Sequence, residues 1–413
     1  MTGHPVRAST TRAPMPLPVD RPGPLDPPAE LQRLRTDLPV APLAFPDGPQ
    51  GWLLTRYDDV RAALADPRLS SRRPHLNSHV RASLITPEEM AALRPNDLLT
   101  SDPPEHTRLR RLVTGQFTTR RMNRLTARIQ DIVDQHLDAL ATAPRPADLM
   151  ATVALPVPSL VISELLGVPF ADRDRYQRLT AELLSLDRTR DQLLASKAEM
   201  KSYLLHLIGL GRADPADDLL SGLLQAQATD TTLTDDEIAA LAQLVLIAGH
   251  ETTANAIGLA TLLLLRPPRL WDTVRHRPDL VDGVIEETLR HATVLQFGLL
   301  RVAREPLTLA GQPIQPGERV VLHLPAANRD PARFTDPDRF DPQRPDAAKH
   351  LSFGHGPHHC IGDQLARIEL RTVLTTMLRR FPDLRLAADP DEIPTHQHRV
   401  VHGPARLPVD FTP

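Results

Sequence analysis

Phe353-Gly354-His355-Gly356-Pro357-His358-His359-Cys360-Ile361-Gly362 decides how this chain is read. It holds the only cysteine in 413 residues, so no internal disulfide can form. The loop opens directly onto a helical pattern. Leu370, Val373, Leu374, Met377, Leu378 and Phe381 fall at i, i+3, i+4, i+7, i+8 and i+11, one buried face, and Phe381-Pro382 closes it. Cys360 therefore stands at a helix start, where backbone N–H groups and the helix dipole favour a thiolate. Gly354, Gly356 and Gly362 let the backbone pass close to something flat or bulky.

A lone cysteine so placed has three readings: a buried structural thiol, a nucleophile, or an axial ligand to haem iron, where thiolate pushes electron density onto the metal. The whole loop, Phe-Gly-x-Gly-x-His-x-Cys-x-Gly followed by Leu365-Ala366-Arg367, resembles the haem-binding signature of the cytochrome P-450 family. The resemblance makes Cys360 the iron ligand, puts Phe353, Gly354 and Gly362 against the cofactor, and pairs His358 with a haem propionate. His350, His355, His358, His359 and Cys360 also look like a zinc cluster by composition. Zinc patterns use two paired ligand sets, and no second cysteine is present.

Composition fits a globular protein, 41% hydrophobic and 24% charged, and a net charge of −3 gives no bias toward nucleic acid or anionic membrane. No run reaches the ~18 apolar residues of a membrane span. Residues 1–28 hold eight prolines and no apolar stretch. They read as a disordered tail, neither signal peptide nor anchor, followed by a single domain over 29–413. One unpaired thiol and no secretion signal favour the cytoplasm.

In chain order, residues 29–35 can start a short helix, 51–57 read as a strand, and 58–65 as a helix stopped by Asp66-Pro67. Residues 70–101 form a long irregular stretch, of a length usually functional or disordered; by resemblance it roofs the substrate pocket. Asp102-Pro103-Pro104-Glu105 opens the next helix. His106 and Arg110, four apart, share one face, and both match propionate ligands of the family. From His106 to Gln130 there are seven arginines and no acidic residue. This local basic patch is read either as a solvated face or as a docking face for an acidic electron-transfer partner; no binding motif supports nucleic acid. Residues 153–168 are helix-like after Pro156 and Pro158, and 170–211 read as two polar helices, a mobile lid by resemblance. Phe297 is a candidate pocket wall.

Residues 234–265 form the second chemical element. Thr234-x-x-Glu237 is a capping box and Pro267-Pro268 ends a helix of about 31 residues, roughly 46 Å. Ala248-Gly249-His250-Glu251-Thr252-Thr253 interrupts its apolar run, and polar groups in a buried helix centre need a reason. Gly249 leaves room for a flat ligand or dioxygen, and a threonine hydroxyl bonding the i−4 carbonyl can loosen the helix. By resemblance Ala248 and Gly249 contact haem, and Glu251 with Thr252 is the acid–alcohol pair that relays protons. A simple kink with a solvated Glu is the plain reading. The spacing of Glu287 and Arg290 alone is compatible with an ordinary surface pair; by resemblance they are structural and pin the loop before the cysteine together with Arg344, although Pro345 departs from the family pattern. Arg301 matches a further propionate-binding arginine, suited by its bidentate geometry. Residues 307–324 read as short strands, and 399–409 as a closing β-hairpin whose tip, near Val401-His402-Gly403, is expected at the substrate.

The resemblance covers roughly residues 30–410. It implies a mainly α (α+β) cytochrome P-450 fold with a small β-sheet region. Haem b would lie between the 234–265 helix and the helix after Cys360. The implied reaction is monooxygenation, hydroxylation or epoxidation of a bulky apolar natural product such as a polyketide or macrolide, with electrons from NAD(P)H through a ferredoxin reductase and a ferredoxin. A peroxide-driven peroxygenase, a xenobiotic or steroid-like hydroxylase and a non-catalytic haem-binding protein are the alternatives. A monomer is expected.

Overall fold

The computed structural model describes residues 13–72, 79–84, 86, 88, 89 and 97–412. From the N-terminus, helix α1 (Ala29–Asp37) precedes a hairpin of β1 (Val40–Ala44) and β2 (Gln50–Leu54), turned at Asp47-Gly48 with Gly48 at φ +94°. Helix α2 (Tyr57–Ala65) and the short β3 (Leu69–Ser70) follow. Helices α3 (Glu105–Thr114) and α4 (Thr119–Thr142) lead through β4 (Ala147–Asp148) to α5 (Pro156–Leu166), which starts on its proline and ends at Gly167 in the left-handed region. Helices α6 (Arg173–Leu184), α7 (Arg190–Ala213) and α8 (Leu219–Thr229) precede α9 (Asp235–Leu265).

Helix α9 runs 31 residues without a break, its start fixed by the reciprocal Thr234 and Glu237 capping box. It packs against α5, α7 and the helix that follows Cys360. That burial on nearly all sides explains its apolar sequence. Beyond it come α10 (Leu270–His276), α11 (Val281–His291), β5 (Leu299–Ala303), the β6 (Leu307–Leu309) and β7 (Gln312–Ile314) ribbon, β8 (Arg319–Leu322), α12 (Leu324–Ala327), α13 (Asp363–Arg380), β9 (Arg385–Leu386) and β10 (Pro408–Asp410). The main sheet has the order β1-β2-β8-β5-β3, with β2 and β8 parallel and the other pairs antiparallel. This is the expected helix-rich body with a small β region.

Two expectations change. The proline-rich tail is packed over residues 13–28: Met15 bridges Leu43, Leu17 and Leu25 are buried, and Arg329 and His402 donate to the carbonyls of Leu25 and Pro24. Proline holds such a segment extended without disordering it, and the two leucines anchor it. Residues 1–12 lie outside the described residues, as does much of the 70–101 stretch expected to roof the pocket. The closing segment is not one hairpin. Residues 394–405 fold back through His396 N to Gly403 O and Ala405 N to Pro394 O, while β10 joins β4 and β9. Val401 and His402 are buried within that return, where Val401 bridges Leu295.

Glu287 and Arg290 are no surface pair. Both side chains are 0% exposed, joined at 2.7 and 2.8 Å, and Arg344 Nε lies 3.1 Å from both carboxylate oxygens despite Pro345. The two guanidiniums also donate to the carbonyls of Asn328, Thr335, Asp336 and Arg339. One buried triad thus ties α11 to the segment that leads to Cys360.

Candidate active site

The Cys360 loop is built by positive-φ glycines and by contacts from below. Gly354 and Gly356 sit at φ +71° and +74°, and a Cβ on Gly356 would stand 3.0 Å from Ala65 Cα, so α2 requires glycine there. At Gly354 and Gly362 a Cβ would meet only His358 O at 3.6 Å and Phe117 Cε1 at 3.9 Å, so these two glycines leave an open cradle. Cys360 N donates to Phe353 O at 2.8 Å. The Phe353 ring is covered by the Arg367 guanidinium, 4.6 Å from its centroid. Arg367 in turn bonds Glu286 at 2.6 Å and Asp363 at 2.7 Å.

The helix start does not make Cys360 a thiolate by itself. Burial pushes the thiol up to about 11, and the Gly362 N–H and the nearby Arg110 and Arg367 only partly offset this. A bound cation is needed to take the proton's place, as metal ligation of a thiol does.

Three of the expected anion-binding residues gather on the fourth. The His106 and His358 rings lie 4.1 Å apart, and Arg110 Nη2 donates to His359 O at 2.7 Å. Burial, then His106 and Arg301, hold His358 down at about 3, with Arg110 adding to the effect. Asp102, which pulls the other way, accepts from Ser71 N and from Ser70. His106 is buried, with Nε2 lacking any partner among the described residues. Two guanidiniums and two imidazoles thus share a pocket with one engaged carboxylate, an arrangement complementary to further carboxylates. His358 Nε2 contacts Ser71 Oγ at 3.0 Å, a partner the sequence gave no reason to single out. Of the other histidines of the apparent zinc cluster, His350 faces Glu286 and His359 faces Asp363, and among the described residues no three His, Cys, Asp or Glu side chains are grouped to hold a metal ion.

On α9, every residue from His250 to Leu264 is buried except Thr252, and Ala248, one turn earlier, is exposed. With half-buried Leu244 they form an i, i+4 stripe, the open side of an otherwise enclosed helix. Gly249 departs from expectation: a Cβ there would lie 2.6 Å from Ile162 Cδ1, so its glycine serves the close packing of α9 on α5. Thr252 Oγ1 donates to Ala248 O at 2.5 Å, yet the helix is continuous. Glu251 is not solvated. It is 2% exposed, and both carboxylate oxygens lie 3.3 Å from Arg399 Nη1. Burial raises its proton affinity and Arg399 lowers it. Arg399 lies 148 residues away, beyond the reach of any local pattern. Arg301 is buried on β5, its Nη1 donating to Leu300 O at 2.9 Å.

The cytochrome P450 family profile matches residues 210–407. Cytochrome P450 105C1 of a Streptomyces species is 45% identical over 400 residues, covering 97% of this chain and 99% of that protein. This chain belongs to the cytochrome P450 family. Cytochrome P450 monooxygenase PikC of Streptomyces venezuelae is 42% identical over 388 residues, 93% of this chain and 91% of the relative. The crystal structure of CYP105P1 in complex with filipin I superposes with a TM-score of 0.90 at 40% identity, covering 97% of this chain and 99% of the other. The chain is therefore a P450 monooxygenase, a haem enzyme supplied with electrons by a redox partner. Among the described residues, no helix is long and apolar enough to cross a membrane.

Proposed function

We propose that this chain is a haem-thiolate monooxygenase that hydroxylates or epoxidises a bulky apolar natural product of the polyketide or macrolide kind. Cys360 would hold the iron, and His106, Arg110, Arg301 and His358 the propionates. The observation that carries this reading is the gathering of those four side chains, with an orphaned His106 Nε2, around a loop whose Gly354 and Gly362 leave a flat cradle. Phe353 would support the cradle from below and Ala248 face it from α9; Gly249 contributes by letting α9 approach α5.

When bound, the haem supplies the activation of dioxygen and the insertion of one oxygen atom. The protein's own groups do the rest. Arg110 would neutralise a propionate, and His358, held neutral by its surroundings, would donate a hydrogen bond to one. Because Thr252 Oγ1 donates to Ala248 O, its lone pairs remain to accept a hydrogen bond from a molecule in the cleft. Glu251, adjacent in sequence and buried, can hold a proton or release it according to its pairing with Arg399. Leu244, Ala248 and Leu295 offer apolar surface that favours an apolar substrate, whereas Phe297, expected as a pocket wall, is buried in the core with Leu17, Leu43 and Leu300.

The CYP105P1 complex with filipin I supports the macrolide class, and pentalenic acid synthase of Streptomyces avermitilis supports the broader one of apolar natural products. Electrons would come from NAD(P)H through a ferredoxin reductase and a ferredoxin, in the cytoplasm, to a monomer. The basic patch is a modest docking face, since Arg108, Arg124 and Arg128 already pair with Glu105, Glu237, Asp217 and Glu164. Binding spectra across a panel of polyketides, fatty acids and aromatic amino acids test the substrate, and turnover with NADPH, ferredoxin and reductase against turnover with peroxide tests the electron source. A shift with fatty acids alone, or peroxide-only turnover, overturns the respective part.

A further inference from the structure

Arg399 makes two kinds of contact at once. Its guanidinium is the only side chain bonded to the Glu251 carboxylate among the described residues, at 3.3 Å to each oxygen. Its backbone lies in an isolated antiparallel bridge with Ser185, and the neighbouring His398 O accepts from Leu186 N at 2.9 Å. Ser185 and Leu186 belong to the connection between α6 and α7, the segment expected to form a lid. From the other side, Gln296 Nε2 donates to Arg399 O at 2.5 Å. The segment carrying Arg399 is irregular chain outside any named strand. It is held on the core side also by Gln296 N to Val400 O at 3.4 Å and by the Val401–Leu295 bridge, and on the lid side by the Leu186 N to His398 O bond of the Ser185 bridge, with His398 Nδ1 3.7 Å from Asp187.

We propose that Arg399 is a positioning residue for Glu251 and that it couples the lid to the active-site carboxylate. This rests on the monooxygenase reading above. With residues 185–186 docked on 398–399, the guanidinium stays against Glu251 and favours the ionised carboxylate against the opposing effect of burial. When the connection lifts away, Arg399 loses its backbone bridge, and its side chain, 28% exposed, has water to move into. Glu251 is then left buried without a cation and takes up one proton from solvent; redocking returns that proton. Lid closure on a substrate would thus release a proton at the carboxyl beside Thr252. The charged and titratable groups that face this pair are few. His250 on α9 and His396 on the same segment both feel Arg399, and burial holds both neutral, at about 4. Neither competes for Glu251 at neutral pH.

The test is a pH titration of the Glu251 carboxyl by infrared difference spectroscopy on the holoenzyme, the band being assigned by its loss in Glu251→Gln. Arg399→Gln is expected to move the midpoint upward by about one pH unit or more, a tenfold or greater rise in proton affinity, and Arg399→Lys to restore it in large part. Leu186→Pro removes the N–H that bonds His398 O together with a leucine side chain packed against the cluster that holds Phe297, so Leu186→Ala, which loses the side chain and keeps the N–H, is its control. Ser185 already has the extended conformation, φ −74° and ψ 137°, that a following proline demands, so the fold is expected to hold. The proline variant should shift the midpoint in the same direction, and further than its control. An unchanged midpoint in Arg399→Gln overturns the positioning role, and an unchanged midpoint in Leu186→Pro, or one that Leu186→Ala matches, overturns the coupling to the lid. The carbon monoxide spectrum of the same samples separates this from the reading beneath it: a missing thiolate signature in the wild type sinks the monooxygenase assignment, whereas a normal one with unmoved midpoints sinks only the inference drawn here.

Discussion

Replacing Glu287 by glutamine keeps the shape of the side chain and removes one charge from a place with no water. Glu287 Oε1 accepts from Arg290 Nη2, Arg344 Nε and Asp341 N, and Oε2 from Arg290 Nε and Arg344 Nε. Whichever oxygen becomes NH2, a donor then faces donors, and Arg290, fully buried, keeps its charge without a counter-ion. Removing one partner of a buried ion pair costs about 3–5 kcal/mol. At ~2.1 cal/mol/K of unfolding entropy per residue, the 413-residue chain has about 0.87 kcal/mol/K. The melting temperature should therefore fall by about 3–6 °C. Circular dichroism melts of the haem-loaded protein measure it, with Arg266→Gln as control. That residue's pair with Asp391 is solvent-exposed and should move the transition by less than about 1 °C. A Glu287→Gln melt within about 1 °C of wild type would refute the claim that the triad holds the segment before Cys360.

Other consequences follow the same chemistry. Burial, the leading cause in each case, holds His250 at about 4, His323 at about 3, His396 at about 4 and His402 at about 3, against 6.5 when unfolded. The unfolded chain binds more protons below pH 6.5, so stability is full above that value and falls as pH drops toward 4; urea midpoints that stay level between about pH 7 and about pH 5 would contradict this. Burial opposes ionisation of Glu286, but His350 and Arg367 outweigh it and hold the carboxyl at about 2. Its share of stability is present above pH 4.5 and lost as pH falls through 2, so acid unfolding of Glu286→Gln should start from a lower plateau and show a shallower slope across that window. Gly249→Ala should destabilise by about 1–3 kcal/mol through overpacking against Ile162, although alanine is the better helix former. The same substitution made in Ile162→Ala should cost clearly less, and equal costs in the two backgrounds would mean that α5 is not what demands glycine.

The helical body was legible because its signals are local. The Thr234 and Glu237 box and the Pro267-Pro268 stop bounded α9 to the residue, and the Cys360 loop carried its glycines, aromatic and thiol within ten positions. What the sequence concealed is non-local. Nothing near Glu251 announces Arg399, nothing near His358 announces Ser71, and Gly249 reads as ligand space until Ile162 is seen across from it. The helix start favours a thiolate at Cys360, but desolvation, which no local pattern announces, outweighs the N–H groups there until a cation is bound. Proline count misled at the N-terminus, where two leucines, Leu17 and Leu25, decide the packing of residues 13–28.

The most direct test of the account is the absorption spectrum of the purified protein, reduced and exposed to carbon monoxide. The account expects a strongly red-shifted Soret band in the wild type that disappears in Cys360→Ala. Bound haem with an unshifted band, or a shifted band that survives in Cys360→Ala, would contradict the assignment of Cys360 as the iron's thiolate ligand.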